Sequence, residues 1–123
     1  MADLDPDVPV ASAPVLVLLC LVAAGGTLGS LARYGLTVAL PGLSTTVAIN
    51  VGGSFLLGAL VAARPYGRWS RPFLGTGVLG GFTTMSTFAV QAIDSTVSTG
   101  IAYVVGTLAL GLTAAELGKR AIR

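Results

Sequence analysis

Histidine is absent from the 123 residues, and cysteine occurs once, as Cys20. A transition-metal centre built from the usual nitrogen and sulfur ligands is therefore not expected. Charge is scarce as well. Asp, Glu, Lys and Arg make up 10% of the chain against 54% hydrophobic residues, and the mean hydropathy is +0.87. That composition belongs to a membrane protein, not a soluble domain. No nucleophile–base set or metal cluster stands out, which argues against an enzyme. The most specific deficit is acid inside the apolar segments, since Asp94 and Glu116 lie near segment ends. A proton-coupled cation exporter needs a carboxylate near mid-membrane to exchange proton and substrate. A small multidrug-type exporter would want a glutamate in the first apolar segment, and none is there.

What is present is four apolar stretches, about Pro14–Arg33, Thr45–Ala63, Pro72–Ile93 and Thr99–Gly118. Twenty or so helical residues span roughly 30 Å, enough for the hydrocarbon core. The predicted fold is an all-α membrane protein. A single four-helix domain over residues 14–118 lies between a short acidic tail, 1–13, and a basic tail, 119–123. The acidic tail holds Asp3, Asp5 and Asp7 and no basic residue. A signal peptide begins with positive charge, so the first stretch reads as a retained helix. Ser12 and Ser70 are expected caps ahead of Pro14 and Pro72, which suit a first helical turn. Pro41-Gly42 marks a turn, Tyr66 and Trp69 read as interfacial anchors, and Cys20 as a small apolar filler.

Charge placement gives the orientation. With four spans, both termini and the second loop share one side. That side holds Arg64, Arg68, Arg71, Lys119, Arg120 and Arg123, while Arg33 stands alone toward the other. By the positive-inside rule both termini are cytoplasmic. Arg33 is read as the end of the first helix, either a snorkelling anchor or an anion-attracting vestibule residue.

Small residues recur at four-residue spacing, as in Gly25 and Gly29 or Gly77 and Gly81, and allow helices to approach closely. The polar residues inside the spans carry more chemistry. Asn50 needs a hydrogen-bond partner, either another helix or a permeating species. The run Gly80-Gly81-Phe82-Thr83-Thr84-Met85-Ser86-Thr87-Phe88 puts two glycines and four hydroxyls inside an apolar span. Backbone that leaves the helix at that depth must be satisfied inside the protein or line a cavity, so the third helix is expected to break at mid-membrane. Together with Gln91, Tyr103 and Thr107 these residues form a donor-rich set without a carboxylate, which suits an anion or a neutral polar solute. Phe82 and Phe88 read as core packing or as ring edges for a dehydrated anion. Carbonyls freed by a break suit a small hard cation.

Three segments resemble one family in order: Gly25 to Tyr34, Asn50 to Gly58, and Gly80 to Phe88, with Tyr103 and Thr107 in the fourth helix. They are similar to the Fluc fluoride channels, also called CrcB proteins. The resemblance implies four-helix subunits that pair antiparallel in a bacterial inner membrane and give passive fluoride export through two narrow pathways. It places Asn50, Thr84, Met85, Ser86, Thr87, Phe88, Tyr103 and Thr107 on the fluoride pathway and Arg33 near a vestibule. It assigns the backbone carbonyls of Gly80 and Thr83 to a structural sodium ion at the dimer interface. Fluoride is small and strongly hydrated, so close, pre-placed donors must offset its lost water.

The sequence departs from the family pattern at Met85, where a phenylalanine is usual, at Gln91, where many members carry glutamate, and at Gly111, where some carry a hydroxyl. A thioether offers neither a hydrogen-bond donor nor a positive ring edge. A non-conducting subunit that completes a partner's pore is the alternative reading. The six-to-one distribution of basic residues argues for one fixed orientation. The expected second subunit is therefore a homologous four-helix chain of opposite orientation, with a homodimer as the alternative.

Overall fold

The computed structural model describes residues 13–63 and 69–123, and those residues are all-helical apart from short connections. Four stretches of 20 to 26 residues are long and apolar enough to cross a membrane: Pro14–Ala39, Leu43–Ala62, Pro72–Asp94 and Val97–Ile122. The acidic tail, Ser12, Arg64, Tyr66 and Arg68 lie outside the described residues.

The first helix, α1, is Ala13–Ala39. It runs past Arg33, the end that the sequence pattern predicts. Tyr34 to Ala39 contain no helix-stopping proline, and the stop comes only at Pro41-Gly42, where Gly42 has φ 130. Only glycine takes that value without strain. Arg33 therefore sits inside the helix, roughly 9 Å from its end at 1.5 Å per residue. The second helix, α2, is Leu43–Ala62.

The third span is composite. Its first part, α3, is π-wound over Pro72–Leu79 and continues as α-helix over Gly80–Phe82. No side-chain cap bond closes its start, so Ser70 does not act as the expected cap. Thr83 is extended (φ −73, ψ 154), and helix resumes as α4, Ser86–Asp94. The interruption falls after the two glycines, not on them: Gly80 keeps right-handed helical angles (φ −63, ψ −38).

The last helix, α5, is Val97–Ile122. Residues 119–122 are thus its final turn and not a separate tail. Lys119 and Arg120 pair with Glu116 at 3.6 and 3.1 Å, and basic charge suits a helix C-terminus.

Two helix pairs build the subunit. In one, α1 lies along α3, parallel to it. A Cβ on Gly25 would meet the Phe73 carbonyl, one on Gly29 the Val78 carbonyl, and one on Gly81 the backbone of Gly26. In the other, α2 packs along α5. There Gly58 lies against the backbone of Ala115, and Gly118 against that of Phe55. The expected close packing at small residues is therefore backbone on backbone. Polarity runs inside out relative to a soluble bundle. Thr46, Thr84 and Thr107 are buried, while Leu19, Leu31, Val105 and Leu112 are exposed, as a lipid-facing surface requires.

Candidate functional site

The interruption in the third span is held by side chains from two helices. From α2, Asn50 bonds Thr84 twice: its Nδ2 donates to the Thr84 carbonyl at 2.9 Å, and the Thr84 N–H donates to its Oδ1 at 2.8 Å. From α1, Arg33 Nη1 donates to the Thr83 carbonyl at 3.2 Å, and Ser30 Oγ donates to the Gly81 carbonyl at 3.4 Å. Thr84 also starts α4 by accepting the Thr87 N–H on its hydroxyl, at 3.2 Å, which is the geometry of a helix N-cap. Ser86 Oγ lies 3.5 Å from that same hydroxyl. Thr84, Ser86 and Thr87 are thus gathered on one turn.

These bonds fix the chemistry that Asn50 presents. Its oxygen faces the Thr84 N–H, and one of its two N–H groups goes to the Thr84 carbonyl. The remaining N–H is the group left to offer. Asn50 also lines an open groove of about 260 Å³ with Ser54, Met85, Phe88 and Thr107. Thr107 is 8% exposed, and its Oγ1 has no hydrogen-bond partner. Buried hydroxyls are rarely left unpaired, so this one marks a place where a polar species fits. Phe88 is buried and its ring lies 4.9 Å from that of Tyr103 at 40°. The Tyr103 hydroxyl donates to Gln91 Oε1 at 2.9 Å.

The structure thus brings Asn50, Met85, Phe88 and Thr107 around one groove, while Thr84 lines a second groove with Asn50 and Met85. Tyr103 is placed one α5 turn from Thr107, behind the Phe88 ring. Met85 is 75% exposed and points away from the subunit's own interior. Arg33 is held at the interruption and not at a helix end. Three contributors were not read from the sequence as site residues, Ser30 and Ser54 counting there only among the small residues of the helix faces. Thr46 and Ser54 flank Asn50 at four-residue spacing on α2, and Ser54 Oγ donates to the Asn50 carbonyl at 2.8 Å. Ser30 lies three residues before Arg33. Continuing the polar stripe of α2 by four in each direction from Asn50 would have found the first two.

Among the described residues no group of three or more His, Cys, Asp or Glu could hold a metal ion, so any cation site would be built from neutral oxygens, the backbone carbonyls among them. The Thr84 N–H is turned to Asn50 and so is not spent on the Gly80 carbonyl four residues earlier. The Thr83 carbonyl accepts from Arg33 and keeps a second lone pair. These two carbonyls are the donor type that a hard monovalent cation takes. One chain supplies too few of them to enclose it.

The profile of the family described as CrcB-like protein, Camphor Resistance (CrcB), matches residues 20–119. The chain belongs to the CrcB family. This multi-pass membrane chain is 52% identical over 100 residues to a Rhodococcus jostii (strain RHA1) protein named fluoride-specific ion channel FluC 1, a match covering 81% of each chain. A Streptomyces coelicolor protein of the same name is 40% identical over 124 residues, covering 90% of this chain and 79% of its own. A third, from Listeria monocytogenes serovar 1/2a, is 40% identical over 114 residues, covering 85% of this chain and 96% of its own. The Asn50–Thr84 clamp, the Phe88 ring and the unpaired Thr107 hydroxyl all fall inside the stretch matched to the CrcB family.

Proposed function

We propose that this CrcB chain is a subunit of a fluoride-selective channel, giving passive fluoride export and fluoride resistance in a bacterial inner membrane, with both termini cytoplasmic. It is not an enzyme: the relatives bear the name of a channel. The observation that carries the reading is the way Thr84 holds the Asn50 amide, oxygen inward, beside the unpaired Thr107 hydroxyl. A site that shows an anion N–H and O–H donors, and no carboxylate, favours fluoride over a cation. A small groove with fixed donors also suits an ion whose hydration must be replaced at short range. Fluoride enters a cell as neutral hydrogen fluoride and dissociates there, so a passive leak for the anion is enough to clear it.

In this reading fluoride passes Asn50, Phe88 and Thr107, with Tyr103 holding the Phe88 ring, and Thr84, Ser86 and Thr87 fixing the start of α4. Met85 stands where its pathway offers the anion no ring edge. Two such subunits pair in opposite directions in the lipid bilayer. The Gly80 and Thr83 carbonyls of both would hold one sodium ion between them, whose charge would steady the crossing point. Arg33, at the same level, adds fixed positive charge beside the interruption.

Fluoride efflux from proteoliposomes tests the proposal. The expected result is rapid release of fluoride with chloride retained, abolished in Asn50→Asp. That variant keeps the oxygen facing the Thr84 N–H but replaces the free donor with negative charge. Efflux only when a second four-helix chain is supplied would assign this chain the role of a non-conducting partner, the reading that the Met85 thioether favours. No efflux in either case from folded protein would overturn the channel reading.

A further inference from the structure

A groove of about 450 Å³ opens where α2 finishes and α3 begins. Leu57, Leu60 and Val61 of α2 form one wall, Pro72 and Thr76 of α3 the other, and Arg71 stands at the rim. The groove lies at a membrane surface. The second span stops at Ala62 and the third starts at Pro72. Arg71 is therefore one residue outside the apolar stretch, and Thr76 about one turn inside it. Leu57 and Leu60 approach α3 beside Gly75, at the depth of Thr76.

The charge at this end is unevenly spent. Lys119 and Arg120 are both paired with Glu116. Arg71 is exposed and, among the described residues, pairs with no acid. It also flanks the start of α3, where the helix dipole is positive, so the rim favours an anion twice over. Going inward, the groove thus presents positive charge, then the Thr76 hydroxyl beside apolar walls. A glycerophospholipid has the matching order: phosphate, then ester oxygens, then acyl chains. The walls alone choose nothing, because lipid tails are as apolar as leucine. Any preference among lipids must come from the rim. Basic pockets between membrane helices take anionic head groups for this reason.

We propose that the groove seats an acyl chain of an anionic phospholipid whose phosphate pairs with Arg71. The contact goes beyond the channel reading and depends only on the membrane spans, so its test does not use fluoride.

Trp69 supplies the probe. It is the single tryptophan of the chain, lies two residues before Arg71 and is 37% exposed. The full chain is reconstituted in phosphatidylcholine vesicles that contain a minor fraction of phosphatidylglycerol, with bromine placed near the top of the acyl chains of one lipid or the other. Bromine quenches tryptophan fluorescence at short range. Brominated phosphatidylglycerol is expected to quench Trp69 as though enriched roughly fivefold beside it, the worth of one basic side chain at a charged surface. Arg71→Gln should bring the enrichment close to one, and Arg71→Lys should keep most of it. Arg123→Gln, another basic residue at the same end but outside the groove, should leave it unchanged. Equal quenching by the two lipids would overturn the proposal, and so would an enrichment that survives Arg71→Gln. An equal loss in Arg123→Gln would mean diffuse surface charge and overturn it too. No quenching by either lipid would mean that protein covers the groove, which also overturns it. Soluble glycerol phosphate should not displace the brominated lipid; displacement would make this a site for free phosphate and not for a lipid.

Discussion

The two halves of the third span are held in different ways. The first half, α3, lies backbone to backbone on α1 through Gly25, Gly29, Gly77 and Gly81. The second half, α4, leans on α5 through side chains for most of its length, with Phe88 against Tyr103 and Tyr103 bonded to Gln91, and has one glycine contact, Gly100 on the Ala92 carbonyl, near its end. Glycine contacts leave no rotamers to choose and fix the distance between helices. Side-chain contacts leave room beside them, and the Asn50–Phe88–Thr107 groove lies on that side. The scaffold and the groove thus meet at Thr83–Thr84, and both sides clamp that joint.

The comparison predicts that the glycine half is the less forgiving. In Gly29→Val the new side chain would have to enter the space of the Val78 carbonyl, with the Phe82 nitrogen 2.8 Å from even a Cβ. Backbone cannot yield as a side chain can, so the cost should reach about 3 kcal/mol or more. The expected outcome is loss of folded protein, read as the monodisperse fraction in detergent. Gly106→Ala, where a Cβ meets nothing within 4 Å, should leave that fraction unchanged. A well-folded Gly29→Val would break the distinction between the halves.

At the joint, Asn50→Ala removes both bonds to Thr84 and leaves its N–H without a partner. An orphaned buried N–H costs about 1–3 kcal/mol, less than the glycine clash, so the protein should still be recovered. Fluoride efflux should fall roughly 10- to 100-fold, the worth of one hydrogen bond to an ion. Efflux within twofold of the original would show that Asn50 serves the fold alone.

Much of this was legible in sequence. Glycines at four-residue spacing pointed to the α1–α3 contact, and hydroxyls inside an apolar run pointed to the interruption. Three features were not. The interruption follows Phe82 instead of starting at Gly80, because close approach to Gly26 uses Gly81 as packing surface and not as a hinge. Arg33 lies inside a helix because nothing before Pro41 stops α1, and its charge is offset by a carbonyl that exists as a free acceptor only once Thr83 has left the helix. The π-winding of Pro72–Leu79 has no marker in residue type, since it changes the hydrogen-bond ladder without changing which residues are apolar.

Met85→Phe sharpens the comparison on the groove side. Met85 is exposed at the groove's edge, so a ring can be added without displacing core. A ring edge beside the Asn50 donor should stabilise the anion modestly, by about 0.5–1 kcal/mol if it compares with other aromatic contacts. Efflux should rise a few-fold with no change in thermal unfolding. An unchanged rate would mean that Met85 lies off the conducting route.

The smallest expected effect is at Tyr103→Phe. The hydroxyl donates to Gln91, while the ring supports Phe88. Removing only the oxygen keeps the ring contact and releases the Gln91 side chain. If Tyr103 positions Phe88 through its ring, efflux should change by no more than about twofold, because the lost neutral hydrogen bond is worth about 1 kcal/mol and does not touch the ion. Tyr103→Leu, which removes the ring as well, should then lower efflux well beyond Tyr103→Phe. Equal losses in the two variants would place the hydroxyl itself on the fluoride route and make the α4–α5 side as tightly specified as the glycine side.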